Sequence, residues 1–302
     1  MLENVLKTAQ QLGCAVKKDV PMSDCTTFRT GGNVKALITP KNENDLLCVL
    51  KSCKENNVRI LIIGNGSNLL VSDNGFDGVA LRLTGSMNSI LYEGDGVVSC
   101  QAGATLASLC KFALEHSLSG LEFAYGIPGT VGGAVFMNAG AYGGEIKDVI
   151  ESAGHIRLSD LSFGCFDKNE LNLSYRKSVY SGGGYFIYSA RFKLVPGDKD
   201  EIKSKMDGFL SRRNEKQPLD YPSAGSTFKR PEGFFAGALI EQCGLKGYSV
   251  GGAQVSEKHA GFVINTGSAT STDIINLIKH IQKTVKEKTG VSLETEVKLI
   301  EG

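Results

Sequence analysis

The sequence of 302 residues lacks an excess of charge of either sign. Its 33 lysines and arginines nearly balance its 32 aspartates and glutamates, so the net charge at pH 7 is +1. Such a chain has no overall field that would attract nucleic acid or an anionic membrane. It also lacks a membrane-length apolar run, and residues 1–7 lack the basic and apolar segments of a signal peptide. We therefore expect a cytoplasmic chain with no nucleic-acid, membrane or protein partner.

Cysteines with the spacing of a metal or redox site are also missing. The eight cysteines include no C-x-x-C pair, and the four histidines do not alternate with them as in a zinc site. Unpaired cysteines of cytosolic proteins are mostly buried and reduced. The sequence therefore predicts buried thiols and no metal, and it identifies no base that would activate a cysteine nucleophile.

Helix-like and strand-like patterns alternate along the chain. Apolar residues at helical spacing predict helices at 1–13, 43–56, 105–116, 198–214, 234–243 and 272–288. Compact or alternating runs predict strands at 59–63, 78–83, 97–102, 148–158, 185–195, 261–265 and 292–300. Residues 125–144 hold too many glycines for an ordinary helix, since each costs about 1 kcal/mol relative to alanine. Gly182-Gly183-Gly184 indicates a tight hairpin, and Pro196-Gly197-Asp198 indicates a domain boundary.

Two glycine clusters are the most informative part of the first half. Gly64-Asn65-Gly66-Ser67-Asn68 directly follows a predicted strand, and its unshielded N–H groups can bind an anion. It is not a Rossmann loop, because Leu69 replaces the third glycine, and no Gly-Lys pair exists for a Walker A loop. The second cluster, Gly126–Ala134, is long and apolar. One such cluster alone is commonly a turn, whereas two together fit an elongated cofactor with a diphosphate and a flat ring.

Three side chains that could take part in catalysis follow along the chain: Arg176, Ser226 and Glu296. From the residues alone, each also has a simple structural interpretation: a solvated arginine, a turn hydroxyl, and a carboxylate on the solvent face of the strand 292–300. That strand places Leu293, Thr295, Val297 and Leu299 on the other face. Ser226 has no Gly-x-Ser-x-Gly context, which argues against a hydrolase nucleophile.

The ordered set of motifs resembles the UDP-N-acetylenolpyruvoylglucosamine reductases, flavoenzymes of peptidoglycan synthesis. The resemblance covers essentially the whole chain and rests on Arg29-Thr30-Gly31-Gly32, Gly64-Asn65-Gly66-Ser67-Asn68-Leu69-Leu70, Tyr125-Gly126-Ile127-Pro128-Gly129-Thr130-Val131-Gly132-Gly133-Ala134, Met137-Asn138-Ala139-Gly140-Ala141-Tyr142-Gly143, Ser174-Tyr175-Arg176, Ala224-Gly225-Ser226-Thr227-Phe228-Lys229 and Leu293-Glu294-Thr295-Glu296-Val297. It implies an α+β fold with a vanillyl-alcohol-oxidase-type FAD-binding domain of two α+β subdomains at 1–197, split near 85–95. A smaller α+β substrate domain would follow at 198–302.

The resemblance also implies FAD as cofactor and NADPH as the co-substrate that reduces it and leaves. FAD would supply the redox chemistry, and the protein positioning and electrostatics. The FAD-binding residues that it implies are Arg29, Thr30, Gly31, Gly64, Asn65, Gly66, Ser67, Asn68, Leu69, Tyr125, Gly126, Ile127, Pro128, Gly129, Gly132, Gly133, Asn138 and Gly140.

The implied reaction reduces UDP-N-acetylglucosamine enolpyruvate to UDP-N-acetylmuramate. Negative charge builds on the carbon beside the carboxylate, and by resemblance Arg176 and Glu296 stabilise it while Ser226 delivers the proton. An ionised Glu296 would repel that charge, so we expect Glu296 to be protonated in this step. The polar side of the strand 292–300 would then line the substrate site, contrary to the solvent-face interpretation.

The nucleotide end of such a substrate needs cations. The segment 212–232 carries five basic and three acidic residues, and by resemblance Lys216 and Arg230 are its candidate contacts. Gln254 and Asn265 are further substrate-side candidates. The family's longer form closes its site with an inserted tyrosine-bearing loop; the length between Arg176 and Ser226 leaves no room for it, so this chain resembles the shorter form.

Two other functions fit part of the pattern. An FAD-dependent oxidase of the same superfamily, acting on an alcohol, would share the glycine clusters but would not need Arg176, Ser226 and Glu296. A flavin-binding protein without turnover would keep the fold, but the presence of all three reactive side chains argues against it.

Overall fold

The computed structural model describes residues 1–302 and combines helices with strands. The α-helices are α1 (Leu2–Gln11), α2 (Glu43–Glu55), α3 (Leu106–Glu115), α4 (Val131–Met137), α5 (Ile146–Val149), α6 (Lys199–Lys216), α7 (Ala236–Gln242) and α8 (Ser271–Thr289). The strands are β1 (Ala15–Pro21), β2 (Asn33–Thr39), β3 (Ile60–Ile63), β4 (Leu69–Val71), β5 (Phe76–Arg82), β6 (Ile90–Gly94), β7 (Val97–Gln101), β8 (Leu118–Ser119), β9 (Gly140–Ala141), β10 (Gly144–Glu145), β11 (Ile150–Arg157), β12 (Phe163–Asp167), β13 (Tyr185–Lys193), β14 (Val195–Pro196), β15 (Ser249–Val250), β16 (Ala253–Val255), β17 (Val263–Asn265) and β18 (Lys298–Ile300).

The long helices begin and end at the residues that their sequences predict. Side-chain oxygens of Asn42, Thr105 and Thr270 accept hydrogen bonds from backbone N–H groups in the first turns of α2, α3 and α8. Helix α8 ends at Gly290, whose φ of 74° is left-handed. The predicted helices 43–56, 105–116 and 272–288 are therefore confirmed. No helix combines the length and apolar character needed to cross a bilayer.

The chain forms two compact units, each assembled from three segments. The larger unit contains Met1–Lys18, Ala36–Asn65 and Gly78–Arg212. The smaller unit contains Asp19–Lys35, Gly66–Asp77 and Arg213–Gly302. The domain division at residue 197 stays a prediction.

The larger unit surrounds one apolar core. Its five-stranded sheet is antiparallel, with the order β12-β11-β13-β7-β6, and most of a second sheet, β1-β2-β5-β3, also belongs to this unit. Leu6, Leu50 and Leu109 anchor α1, α2 and α3 in the core. Strands β3 and β5 are parallel, and their last residues, Ile63 and Arg82, are paired. The loops that follow these two strands therefore start at the same edge of the sheet.

The smaller unit is organised around α8. This helix contacts the antiparallel strands β15, β16 and β17, as well as α7. Ile240, Val255, Leu277 and Ile281 form the centre of its apolar core. Strand β18 near the C-terminus pairs in parallel with β4, so the segment that carries Glu296 runs next to the segment Gly66–Val71.

Helix α4 corrects the expectation that residues 125–144 form no ordinary helix. Thr130 begins it, and its Oγ1 accepts a hydrogen bond from Gly133 N at 3.4 Å. A Cβ on Gly132 would lie 3.0 Å from Ala102 Cβ, so glycine permits the close packing of this helix. Tertiary packing therefore outweighs the low helix propensity of the two glycines.

Two other sequence predictions are wrong. Gly182-Gly183-Gly184 does not join hairpin partners, because β13 pairs with β11 and β7, while the preceding strand is β12. The predicted strand 292–300 is regular only at Lys298–Ile300, and Leu299, assigned to its buried face, is 46% exposed.

None of the eight cysteines forms a disulfide. Six of them are buried as predicted, but Cys48 and Cys165 are exposed. Burial raises the pKa of the Cys53 thiol to about 11 and that of the Cys100 thiol to about 12. Protonated thiols of this kind are poor nucleophiles, which fits a structural role for them.

Candidate active site

The two glycine clusters meet in the larger unit. A Cβ on Gly64 would lie 2.4 Å from Thr130 Oγ1, so this approach requires glycine. Asn65 Nδ2 donates a hydrogen bond to the carbonyl oxygen of Pro128 at 3.2 Å, and Asn65 Oδ1 accepts one from Thr84 Oγ1 at 3.3 Å. The structure thus brings together the loop after β3 and the loop before α4.

In the smaller unit, the second part of the first cluster packs against the segment before Arg29. Gly66 has a φ of 63°, and a Cβ on it would lie 2.0 Å from the carbonyl oxygen of Cys25. Thr27 N donates a hydrogen bond to the carbonyl oxygen of Gly66 at 3.2 Å. Only glycine fits both the left-handed conformation and the close approach. The glycines of this cluster therefore keep two backbone segments in contact.

Two buried polar atoms beside this cluster have no hydrogen-bond partner. One is Oγ1 of Thr27, and the other is Nε of Arg82, which is paired with Ile63 immediately before Gly64. An unsatisfied buried polar group costs about 1–3 kcal/mol. Arg82, in the larger unit, is a cation, and an anion with several acceptor oxygens, such as a cofactor diphosphate, suits it. The sequence interpretation missed both residues.

The segment around Arg29 is held by the start of α8. Arg29 is exposed and has a left-handed φ of 55°, whereas Thr30 is buried. Ser271 Oγ donates a hydrogen bond to the carbonyl oxygen of Val71 at 2.5 Å, and the hydroxyl oxygens of Ser271 and Thr30 lie within hydrogen-bond distance of each other, at 3.2 Å. Thr30 therefore shapes the segment, and Arg29 is the side chain that a ligand can reach.

The remaining predicted cofactor residues differ in accessibility. Half-buried positions that a ligand can reach are Ser67, Leu69, Tyr125, Gly126, Ile127 and Gly129. Gly31 has a φ of 110° and a Cβ on it would lie 3.0 Å from Val71, so this glycine serves the backbone.

Arg176 occupies the corner of a tight turn in the larger unit. Ser174 N donates to the carbonyl oxygen of Lys177 at 3.0 Å, and Lys177 N donates to that of Ser174 at 3.1 Å. Arg176 has a φ of 54°, which costs about 1–2 kcal/mol for a residue with a side chain. Its Nη2 donates a hydrogen bond to the carbonyl oxygen of Gly140 at 3.2 Å. The half-buried guanidinium is therefore oriented before any ligand arrives.

Asn138 lies directly behind this turn. It is 0% exposed and ends α4 with a left-handed φ of 43°. Its Nδ2 donates to the carbonyl oxygen of Ser174 and to Glu145 Oε2, both at 3.0 Å, and its Oδ1 accepts from Lys147 N at 2.9 Å. A cofactor has no access to this side chain in the structure, unlike the accessible position that the sequence suggested.

In the smaller unit, two short segments lie side by side: Ala224–Lys229, the string of Ser226, and Leu293–Val297, the string of Glu296. They form an antiparallel bridge between Phe228 and Thr295, and Glu296 N donates to the carbonyl oxygen of Thr227 at 2.9 Å. Thr227 is buried, and its Oγ1 accepts from Val263 N at 3.0 Å. Ser226 is exposed and Glu296 half-buried, so both can reach a ligand.

Asn68 connects the first glycine cluster to the string of Glu296. Its Nδ2 donates a hydrogen bond to the carbonyl oxygen of Glu296 at 3.2 Å, and its own carbonyl oxygen accepts one from Lys298 N at 3.0 Å. A predicted cofactor residue and a predicted catalytic residue are therefore neighbours.

The four substrate candidates fall into two groups. Lys216 and Arg230 are exposed, and Arg230 Cζ lies 4.0 Å from the centre of the Phe235 ring. Gln254 Nε2 donates to the carbonyl oxygen of Gly247 at 3.3 Å, which joins β16 to the segment that precedes β15. Asn265 is 4% exposed, and its Nδ2 donates to the carbonyl oxygen of Phe28 at 3.0 Å. The first pair can bind a ligand directly, whereas the second supports backbone segments.

Comparison with protein families finds two matches. Residues 34–156 match an FAD binding domain, and residues 217–300 match the C-terminal domain of UDP-N-acetylenolpyruvoylglucosamine reductase. Among curated proteins, the chain is 52% identical to a UDP-N-acetylenolpyruvoylglucosamine reductase of Clostridium perfringens over 282 residues, which cover 93% of this chain and 92% of the relative. It is 48% identical to the reductase of Agathobacter rectalis over 312 residues, which cover 99% and 98%.

Solved structures agree with these matches. The crystal structure of UDP-N-acetylenolpyruvylglucosamine reductase from Thermus caldophilus is 35% identical, with a TM-score of 0.81 over 95% of this chain and 99% of that one. A glucooligosaccharide oxidase of Acremonium strictum, 14% identical with a TM-score of 0.50 over 97% of this chain and 60% of its own, shares the fold alone. The predicted α+β fold, with an FAD-binding domain followed by a C-terminal domain, is confirmed.

Proposed function

Because the chain belongs to the UDP-N-acetylenolpyruvoylglucosamine reductase family, we propose how its own residues carry out the reaction of that family. The chain is an FAD-dependent oxidoreductase that reduces UDP-N-acetylglucosamine enolpyruvate to UDP-N-acetylmuramate, a peptidoglycan precursor, with NADPH as co-substrate. The oxidase alternative has only a shared fold in its favour. We place the enzyme in the cytoplasm, where a balanced charge and a lack of membrane-spanning helices suit it, and we propose no protein partner.

The cofactor site would combine backbone and side chains of both glycine clusters. When bound, FAD supplies the redox chemistry by taking two electrons from NADPH and passing them to the enolpyruvyl double bond. Backbone N–H groups of the loops that contain Gly64 and Gly129 would bind its diphosphate. The unpartnered Nε of Arg82 would donate a hydrogen bond to one of its oxygens, which is the structural feature that supports this assignment.

Arg176 would bind the carboxylate of the enolpyruvyl group. Its guanidinium is held by Gly140 and by the turn between Ser174 and Lys177, so little reorganisation is needed as charge develops. A planar guanidinium matches a carboxylate with two parallel hydrogen bonds. This interaction would favour the negative charge that spreads into the carboxylate during reduction.

Ser226 and Glu296 would complete the addition of hydrogen across the double bond. The reduction adds two electrons and two protons: one hydrogen reaches the terminal carbon, and one proton reaches the carbon beside the carboxylate. The Ser226 hydroxyl would give up that second proton and, being exposed, regain one from solvent. A protonated Glu296 would donate a hydrogen bond to the same carboxylate, in line with the need to avoid repulsion.

The nucleotide part of the substrate would bind exposed cations. Lys216 and Arg230 are the proposed contacts of its diphosphate. Gln254 and Asn265 would act on the substrate site through the backbone segments that they support.

The observation that supports this function most directly is the pairing of the Ser226 and Glu296 strings beside Asn68. In an anaerobic stopped-flow experiment, Ser226→Ala should be reduced by NADPH at the normal rate. Its reoxidation by the enolpyruvyl sugar should slow by about 10²–10⁴-fold, the range for a general acid. Ser223→Ala, three residues away, serves as the control. Normal reoxidation of Ser226→Ala would contradict the proposed role.

A further inference from the structure

The turn that carries Arg176 is anchored at both ends to the last turn of α4. At one end, the carbonyl oxygen of Ser174 accepts a hydrogen bond from Asn138 Nδ2 at 3.0 Å. At the other end, the buried Ser178 donates from its Oγ to the carbonyl oxygen of Phe136 at 2.7 Å. The left-handed conformation of Arg176 is unfavourable by itself. These anchors therefore help to keep that conformation.

Asn138 can hold the turn because its own carboxamide is fixed. Both hydrogens of Nδ2 are donated, to Ser174 and to Glu145 Oε2, and Oδ1 accepts from Lys147 N. Lys147 Nζ lies 2.8 Å from the same Glu145 oxygen and neutralises its charge. A buried carboxamide with all its groups satisfied has one favoured orientation.

The guanidinium of Arg176 is held by the hairpin β9–β10, which directly follows Asn138. Its Nη2 donates to the carbonyl oxygen of Gly140, which lies in the hairpin β9–β10 between Asn138 and Glu145. A Cβ on Gly140 would lie 2.7 Å from Glu145 Cγ, so the hairpin is tightly packed at this point. The turn and the side chain of Arg176 are thus both held by the segment from Asn138 to Glu145, in which Asn138 makes the central hydrogen bonds.

We propose that Asn138 is a positioning residue for the reduction of the enolpyruvyl group: its buried carboxamide sets the orientation of Arg176 and does not contact FAD. The inference rests on the proposed role of Arg176. It differs from the role in cofactor binding that the sequence suggested for Asn138, because the side chain is 0% exposed. Removal of the carboxamide should therefore affect the half-reaction that uses Arg176 and spare the other.

The test variant is Asn138→Gly, which keeps the left-handed backbone and deletes the carboxamide. Its matched control is Asn57→Gly, an exposed asparagine of the same unit with a φ of 52°. In anaerobic stopped-flow, we expect Asn138→Gly to bleach with NADPH within about 2-fold of the wild-type rate and to keep its FAD affinity. Reoxidation by the enolpyruvyl sugar should slow by about 10- to 100-fold, the scale of a small misplacement of a reacting group. The control should behave as wild type.

A double-variant comparison separates positioning from general destabilisation. In the Arg176→Ala background, Asn138→Gly should slow reoxidation by less than about 2-fold more, because both substitutions remove the same interaction. Fully additive losses would overturn the proposal. Equal slowing of both half-reactions, or loss of FAD, would also overturn it.

A readout independent of turnover uses the Nε–H resonance of Arg176 in ¹⁵N NMR, identified by its absence in Arg176→Lys. This resonance should shift in Asn138→Gly and not in Asn57→Gly; an unchanged resonance would contradict the proposal. If wild-type enzyme reduced by NADPH is not reoxidised by the enolpyruvyl sugar, the proposed function fails. The NMR comparison still decides whether Asn138 positions Arg176.

Discussion

The larger and the smaller unit hold their predicted catalytic residues by different means. In the larger unit, Arg176 depends on side chains: the carboxamide of Asn138 and the hydroxyl of Ser178 anchor its turn. In the smaller unit, the strings of Ser226 and Glu296 are joined by backbone hydrogen bonds, Glu296 N to Thr227 and Lys229 N to Glu294. Backbone pairing survives most substitutions of the side chains around it.

This difference predicts different sensitivity to mutation. Substitutions around Arg176 should disturb it from a distance, because each anchor is one specific side chain. Substitutions around Ser226 and Glu296 should have small effects unless they replace those two residues or Asn68, whose side chain donates a hydrogen bond to Glu296. The four predictions that follow test this contrast, starting with the largest expected effect.

Arg176→Ala should slow reoxidation of the reduced enzyme by the enolpyruvyl sugar by about 10²–10³-fold, the usual effect of removing a donor that stabilises developing charge. Arg176→Lys should recover only part of this loss, because a lysine lacks the planar fork. Anaerobic stopped-flow measures both. Lys177→Ala is the control, since Lys177 contributes to the turn through its backbone. Equal slowing of the control would mean that the turn matters and the guanidinium does not.

Arg82→Met should weaken FAD binding by about 10- to 100-fold. The estimate follows from about 1.5–3 kcal/mol for a hydrogen bond to a charged group. Flavin fluorescence during titration of the apoprotein gives the dissociation constant. Arg157→Met, which removes an exposed arginine paired with Asp160, should leave it unchanged. An unaltered dissociation constant in Arg82→Met would show that the cofactor does not use the unpartnered Nε of Arg82.

Asp73→Asn tests a contact in the smaller unit that depends on a side chain, the contact between Asp73 and the start of α8. The Asp73 carboxylate accepts hydrogen bonds from Ser271 N at 2.7 Å and from Thr272 N at 2.8 Å, at the start of α8. Burial raises the pKa of Asp73, but the hydrogen bonds from Thr272 and Ser271 outweigh it and hold the pKa below its usual value. We expect Asp73→Asn to lower the free energy of unfolding at pH 7 by about 1 kcal/mol, since the site is exposed.

The sign of the pH dependence follows from the lowered pKa. The stabilisation is present above the unfolded-state pKa of about 3.9 and is lost as the pH falls through the lower folded-state pKa. Urea unfolding of wild type and Asp73→Asn should therefore converge in strongly acidic buffer. Asp19→Asn, at an exposed left-handed position, is the control. A difference that persists at the lowest pH would rule out the carboxylate as its source.

Glu294→Gln should have the smallest effect. It breaks the exposed ion pair with Lys229, but it leaves the backbone hydrogen bond from Lys229 N to Glu294 intact. We expect less than about 1 kcal/mol of destabilisation and less than a 3-fold change in reoxidation. A loss comparable to that of Asn138→Gly would remove the proposed contrast between the units.

The resemblance of the motifs to a known family predicted the fold class, and residue type and order predicted the approximate position of most long elements. The apolar spacing of α2, α3 and α8 and their N-terminal capping residues are local properties, which a sequence displays directly. Helix α4 was missed because its glycines are favoured by close packing against Ala102, a contact distant in sequence.

The residues that hold the candidate site in place were harder to predict from the sequence than its reactive residues. The resemblance to a known family identified Arg176, Ser226 and Glu296, each of which also has a simple structural interpretation from the residues alone. Asn138 looked like one more residue of a glycine-rich motif, since neither its burial nor its bond to Ser174 is visible in the sequence. Arg82 lies one residue before the end of the predicted strand 78–83, and a cation at that edge of the sheet was the available signal.

The most direct test of the account is the anaerobic visible spectrum of the purified wild-type protein, followed by addition of NADPH and then of the enolpyruvyl sugar nucleotide. The account predicts a flavin band that bleaches with NADPH and returns when the sugar nucleotide is added, with UDP-N-acetylmuramate as product. A band that bleaches and returns only with oxygen would contradict it, and so would a protein that shows no flavin band even after FAD is added.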